Sequence, residues 1–312
     1  MKAHWGMRVA VLGALWWLAA AVAPAQQTDF SKVEIKPEKL ADNLYVLFGY
    51  GGNMALLTGP DGPLLVDDQF DELSPKIRAA IALLSDKPVR FLVNTHCHLD
   101  HTGGNAAFGR TGTVIIAQEN TRKRLSSDQF IALFKLKVPA APAEALPLVT
   151  FEDGLTLHLN GEDIEAVHVP RAHTDSDVVL YFTKANVVHT GDVFIAGYPI
   201  VDDSSGGTFD GVVAATEGIL ARTRADTRII PGHGPLSTRA DVQAYHDMLV
   251  TVRTRVLDLI RKGQTQEQVL AAAPTREFDA QYGQLYMKPD MWLQRVYVEL
   301  KRTPEQLHRK VK

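Results

Sequence analysis

A chain of 312 residues that is 46% hydrophobic and 22% charged has the length and apolar content for a sizeable core, which excludes a disordered polymer. Its formal charge of −3 gives no basic field, which argues against a nucleic-acid partner gripped through phosphates. With one cysteine, Cys97, no intrachain disulfide is possible, so cysteine content leaves the compartment open.

In chain order, Lys2 and Arg8 make a short positive segment, and residues 9–23 form an apolar run of 15. Ala23 and Ala25 then place small residues where a signal peptidase reads, so cleavage is expected after Ala25. The run is shorter than the ~20 residues that span a bilayer, so stable membrane insertion of the mature chain is not expected. If the source is a Gram-negative bacterium, the mature chain is expected in the periplasm. Residues 26–42 read as a polar, proline-containing leader without a period.

Strands are expected at 44–49, 54–59 and 63–68, separated by Gly-Gly-Asn and Gly-Pro-Asp-Gly-Pro turn compositions. Apolar residues at helical spacing predict a helix over 73–85, with Pro75 tolerated in its first turn. A strand at 89–93 delivers the densest group of metal-capable residues in the chain, NTHCHLDHTGGN over 94–105. Imidazole nitrogen and carboxylate oxygen suit borderline divalent ions such as zinc. An extended step puts His96 and His98 on one side of the backbone and Cys97 on the other. Asp100 and His101 join them only if the loop turns, a freedom expected from Thr-Gly-Gly. One ion between His96 and His98 and a second beside Asp100 and His101 are therefore expected.

Beyond the loop, a helix at 103–108, a strand at 113–117 and a helix at 118–125 continue an α/β alternation. Residues 126–148 read as a short apolar helix running into a proline-rich connection, an ordinary packed crossover by preference with a lid over the site as the alternative. Strands return at 155–159, 164–169, 178–182, 186–190 and 228–230. The C-terminal part reads as helices over 242–260 and 292–300, with Tyr286, Met287, Met291 and Trp292 as core.

The spacing His96, His98, Asp100, His101 is an HxHxDH motif, followed in order by His173 in PRAHTDSD, Asp192 in HTGDVF and His233 in PGHGP. Over roughly 43–246 the chain resembles the metallo-β-lactamase superfamily, with residues 247–312 as a helical extension packed on the same domain. The resemblance implies an α/β fold of the αββα sandwich type and two zinc ions per chain. His96, His98 and His173 would hold one, Asp100, His101 and His233 the other, and Asp192 would bridge. Asp67 would orient a metal-binding histidine, and Asp68 is expected to be solvated. A hydroxide between the ions would attack a carbonyl, with Asp100 as the catalytic carboxylate that orients it. The substrate is expected to be a small molecule, with β-lactamase-like activity the leading reading.

Departures qualify that reading. The best-known zinc β-lactamases carry cysteine where Asp192 stands and lysine where Ile195 stands, whereas the glyoxalase II and lactonase branches carry aspartate at the first of these. A glyoxalase II-like or lactonase-like esterase, and a metallohydrolase-like periplasmic accessory of a quinoprotein redox system, are the alternatives. An iron oxidoreductase of the flavodiiron branch is disfavoured by His98, where that branch carries glutamate. Residues 50–53 are a candidate substrate flap, Arg171 a candidate cation, and Tyr198 a candidate pocket residue, while Phe209 is expected in the core. His189 is expected to be a satisfied strand histidine, and His4, His158, His168, His246 and His308 are not expected as ligands.

Overall fold

The computed structural model describes residues 28–302, so the expected cleavage after Ala25, His4 and His308 lie outside the described residues. The strands are β1 (Lys36–Lys39), β2 (Leu44–Phe48), β3 (Met54–Leu57), β4 (Leu64–Val66), β5 (Phe91–Val93), β6 (Val114–Gln118), β7 (Gln129–Ile131), β8 (Leu136–Val138), β9 (Val149–Phe151), β10 (Gly154–Leu159), β11 (Glu162–Val169), β12 (Asp177–Phe182), β13 (Val187–His189), β14 (Arg228–Ile230) and β15 (Ser237–Thr238). The helices are α1 (Ser74–Ala82), α2 (Leu99–Thr102), α3 (Asn105–Gly109), α4 (Glu119–Leu125), α5 (Phe209–Arg222), α6 (Arg239–Arg261), α7 (Gln266–Ala272), α8 (Asp279–Tyr282) and α9 (Pro289–Leu300). One sheet has the order β1-β2-β3-β4-β5-β6-β9 and the other β10-β11-β12-β13-β14-β15.

The layering follows from period two along each strand. Val46, Ala55, Leu57, Val66 and Val93 of the first sheet pack with Ile164, Ala166, Val178 and Leu180 of the second, forming the inner core. Their neighbours Leu47, Leu56, Leu65 and Leu92 turn outward onto Ile77, Ala80 and Ile81 of α1. Val179, Tyr181, Val188 and Ile229 turn outward from the second sheet onto α5, α6 and α9. Helix, sheet, sheet, helix is the αββα sandwich expected from the sequence. Helix α6 carries a Thr238–Asp241 capping box and runs straight across the expected limit between residues 246 and 247. On α9, Trp292 stacks on Tyr198 with ring centroids 4.1 Å apart, and both are buried. No helix among the described residues is long and apolar enough to cross a membrane.

Strand polarity positions the site. β4 runs parallel to β5 and β13 parallel to β14, while β12 is antiparallel to β13. The C-terminal ends of β4, β5, β13 and β14 therefore open the loops of Asp67, His96–His101, Asp192 and His233. The N-terminal end of β12 receives the loop of His173.

Three local expectations are corrected. Residues 126–148 contain no apolar helix; β7 and β8 pair as an antiparallel hairpin, with Lys135 in the left-handed region at φ 51°. Of its apolar run only Ile131 is buried, while Phe130, Phe134 and Leu136 stay exposed, so there was no helical face to bury. The leader contains β1, whose Lys-Pro-Glu-Lys residues are all exposed on the sheet edge and so show no burial pattern. Asp68 is fully buried, with burial pushing its carboxyl well above the usual range.

Candidate metal centre

The loop after β5 is clamped at its ends by a reciprocal amide pair. Asn94 Nδ2 donates to Asn105 Oδ1 at 3.0 Å, and Asn105 Nδ2 donates to Asn94 Oδ1 at 2.9 Å. Between them the chain turns through α2, which brings Asp100 and His101 back beside His96. Gly103 and Gly104 have ordinary right-handed backbone angles, so the turn does not use their freedom of φ. They supply room instead: a Cβ on Gly104 would sit 2.8 Å from the Asp68 carbonyl oxygen.

The seven expected residues converge. His96, His98 and His173 form one cluster, with ring centroids 4.7 to 4.9 Å apart, and His98 Nδ1 lies 2.8 Å from His173 Nε2. Asp100, His101 and His233 form a second, with Asp100 Oδ2 3.3 Å from His233 Nε2 and 3.8 Å from His101 Nε2. Asp192 stands between them. Its Oδ2 lies 3.6 Å from His173 Nε2, and its Oδ1 lies 3.2 Å from His101 Nε2 and 3.4 Å from His233 Nε2.

Each imidazole is held from behind. His173 Nδ1 donates to the Ile200 carbonyl at 2.6 Å, which leaves Nε2 as the lone-pair nitrogen. His98 Nε2 is paired with Asp202 Oδ2 at 3.0 Å, and His101 Nδ1 with Asp67 Oδ2 at 2.7 Å. Thr95 Oγ1 donates its one hydrogen to Asp67 Oδ2 at 2.7 Å, so at 3.0 Å it accepts from His96 Nδ1. Asp67 thereby orients His101 directly and His96 through Thr95. Tyr286 Oη is 3.3 Å from His233 Nδ1.

The inward atoms fit a cation. His96 Nε2 and Asp192 Oδ1 are buried without hydrogen-bond partners, and facing imidazole lone pairs repel unless something positive lies between them. Burial holds His96 well below its ordinary range and His173 at about 4, so both are neutral donors. Burial pulls His101 down too, but Asp192, Asp100 and Asp67 outweigh it and raise His101 to about 10. For Asp192 burial is outweighed by His233 and His101, and its carboxyl sits well below the usual range.

A cavity of about 530 Å³ opens onto the centre, bordered by Tyr50, Gly51 and Asn53 of the expected flap. Gln69 Nε2 holds the flap through the Gly52 carbonyl at 2.7 Å, and a Cβ on Gly52 would overlap the His101 ring. Arg171 is exposed and does not line the cavity, Tyr198 is a core residue, and Phe209 is core as expected. His189 is a satisfied strand histidine, its Nε2 2.9 Å from the Asn53 carbonyl oxygen. Burial pushes the Cys97 thiol up to about 12, and Cys97 belongs to none of the clusters. Tyr286, expected in the core, is half exposed and lines the cavity with Leu285, and the hairpin contributes Ile131, Phe134 and Leu136. Asp202 and Tyr286 were missed because their partners lie 104 and 53 residues away.

Residues 47–242 match the family model described as the metallo-beta-lactamase superfamily. The chain is 26% identical over 258 residues to a linear primary-alkylsulfatase of Pseudomonas sp. (strain ATCC 19151), an alignment that covers 69% of this chain and 48% of the relative. It is 27% identical over 161 residues to the hydroxyacylglutathione hydrolase GloC of Haemophilus influenzae, covering 49% of this chain and 72% of that protein. The chain thus spans about half the length of the alkylsulfatase. A solved metallo-beta-lactamase from Pontibacter korlensis superposes with a TM-score of 0.56 at 18% identity, covering 69% of this chain and 99% of that one, which shows the shared fold. With its family model spanning the loops of all seven clustered residues, this chain belongs to the metallo-beta-lactamase superfamily.

Proposed function

We propose that the chain is a binuclear zinc hydrolase that cleaves a carbonyl substrate, an ester or thioester in preference to a β-lactam. In this reading His96, His98 and His173 hold one ion, Asp100, His101 and His233 hold the other, and Asp192 serves both. The observation that carries it is Asp192, whose two oxygens face different clusters. Bound ions of this kind supply Lewis acidity and lower the pKa of water toward neutrality. Donors of imidazole and carboxylate without thiolate suit zinc.

The remaining work falls to the chain. Asp67, Asp202, Ile200 and Tyr286 fix which nitrogen of each histidine faces inward, so little reorganisation is needed at the moment of reaction. Asp100 is the one clustered carboxylate with its side chain partly exposed to the cavity, at 31%. Burial raises its carboxyl, but His101 and His233 outweigh this and hold it at about 2. It is therefore an ionised acceptor at neutral pH, suited to orient an attacking water through Oδ2.

Among the described residues, no lysine or arginine lines the cavity. A carboxylate-bearing lactam would lack a side-chain counter-ion there, which moves the reading from β-lactams toward esters and thioesters; the likeness to hydroxyacylglutathione hydrolase GloC supports a thioester. A second reading, cleavage of an alkyl sulfate, is favoured by the alkylsulfatase likeness. Export through residues 1–25 to the periplasm is part of the same reading, as is a small-molecule substrate with no nucleic-acid partner. The test is turnover of a chromogenic ester, a thioester, an alkyl sulfate and a chromogenic cephalosporin by the zinc-loaded chain, with a chelated sample and Asp192→Ala as controls. Metal-dependent ester or thioester cleavage lost in both controls is expected. Failure of all four substrates with two ions bound would favour the non-catalytic accessory role instead.

A further inference from the structure

We infer, resting on the hydrolase reading, that the body of the substrate is uncharged and apolar, an alkyl or aryl acyl group, selected between the β7–β8 hairpin and the aromatic rim around Tyr50. Two observations carry this. The first is charge: the acidic and imidazole groups that line the cavity all belong to the two clusters, and among the described residues no lysine or arginine lines it. A carboxylate, phosphate or sulfonate on the distal part of a substrate would be desolvated there without a partner.

The second is exposure. Tyr50, Leu99, Phe134, Leu136 and Tyr286 are five of the twelve large apolar side chains that stay exposed among the described residues, and all five border this one cavity. Scattered exposed apolar residues mean little, but a contiguous set beside a catalytic cluster marks surface that a ligand covers. The rim is built rather than accidental. Tyr50 packs against Phe30 and Phe70 with ring centroids 5.6 and 6.0 Å apart, and Phe30 and Phe70 lie 5.4 Å from each other. Facing it, the hairpin is tied down by Ala132 N donating to Ser204 Oγ at 3.1 Å. Hydrolysis of such a substrate adds the oxygen of water to the carbonyl carbon and breaks the bond to the alcohol or thiol. The leaving group departs with a proton and a carboxylic acid is released, so no oxidant or reductant is required.

The test compares p-nitrophenyl acetate, butyrate and octanoate with p-nitrophenyl hemiglutarate on the zinc-loaded chain. Each added methylene buried in the cavity is expected to raise kcat/KM by up to about fourfold. Overall, roughly tenfold or more should separate octanoate from acetate, with hemiglutarate disfavoured against butyrate. Phe134→Asp should flatten the chain-length profile, and Leu136→Lys should raise activity on hemiglutarate. Binding of N-phenyl-1-naphthylamine, an uncharged apolar fluorophore, to the metal-free chain gives a second readout and should be lost in Phe134→Asp with its circular dichroism unchanged. A flat profile in the unaltered chain, a preference for hemiglutarate, or no fluorophore binding would overturn the inference. If no ester is cleaved while the fluorophore binds and Phe134→Asp abolishes binding, the ester form of the hydrolase reading falls and the apolar selectivity of the pocket stands.

Discussion

The three-histidine cluster and the Asp100–His101–His233 cluster lie on either side of Asp192 and meet burial in opposite ways. In the first, burial outweighs the neighbouring carboxylate, so His96 lies well below its ordinary range and His173 at about 4. In the second, the same residue type under similar burial is dominated by acidic neighbours, and His101 rises to about 10. Nearby carboxylates, and not burial alone, thus set how strongly a buried imidazole site attracts positive charge, whether it arrives as a proton or as an ion. One cluster would offer an ion imidazoles alone, and the other would add the carboxylate of Asp100.

Removing the carboxylate between the clusters should abolish this contrast: Asp192→Ala is expected to lower activity on the order of 10³-fold and bound zinc below two per chain, measured by steady-state kinetics and metal analysis. The carboxylates behind the histidines should act unequally. Asp67→Asn, which touches His101 directly and His96 through Thr95, should weaken both ions by about 10- to 100-fold, whereas Asp202→Asn should weaken only the ion of the three-histidine cluster. Two-step chelator competition would resolve them, and equal effects on both ions from Asp202→Asn would break the distinction.

Tyr286→Phe removes one 3.3 Å contact to His233 and should cost a factor of about 2 to 10 in kcat/KM, with the three-histidine cluster untouched. The last effect is on stability rather than activity and lies outside both clusters. Burial raises Glu299 from 4.5 to about 7, although it accepts from the Phe209 N–H. The folded chain keeps a proton that the unfolded chain loses, so this residue contributes a loss of stability that grows as pH climbs from about 4.5 to about 7. Glu299→Gln should gain about 1 to 2 kcal/mol near pH 8 and nothing near pH 4, read by urea unfolding. An equal gain at both pH values would contradict the cause.

What could be read in the sequence was what is local. His96 to His101 fall within six residues, and the resemblance to the metallo-β-lactamase superfamily then points to His173, Asp192 and His233, each beside a recognisable strand, so the seven residues that the fold brings together are all named in the sequence. The supporting partners are not local. Asp202 gains meaning only when His98 arrives from 104 residues earlier, and Tyr286 only when the C-terminal segment is folded over His233. The hairpin at 129–138 was misread because Phe130, Phe134 and Leu136 are exposed, and a period-based reading assumes that apolar side chains are buried. Asp68 departs from expectation for the converse reason, being a buried carboxylate beside Asp67 whose Oδ1 accepts from the Gly104 N–H.

The most direct test of the central claim is the anomalous diffraction of crystals of the zinc-loaded chain at the zinc edge. Two peaks about 3.5 to 4 Å apart, one within bonding distance of His96, His98 and His173, the other of Asp100, His101 and His233, with Asp192 reaching both, are predicted. A single peak at full zinc loading, or a second ion held away from Asp192, would contradict it.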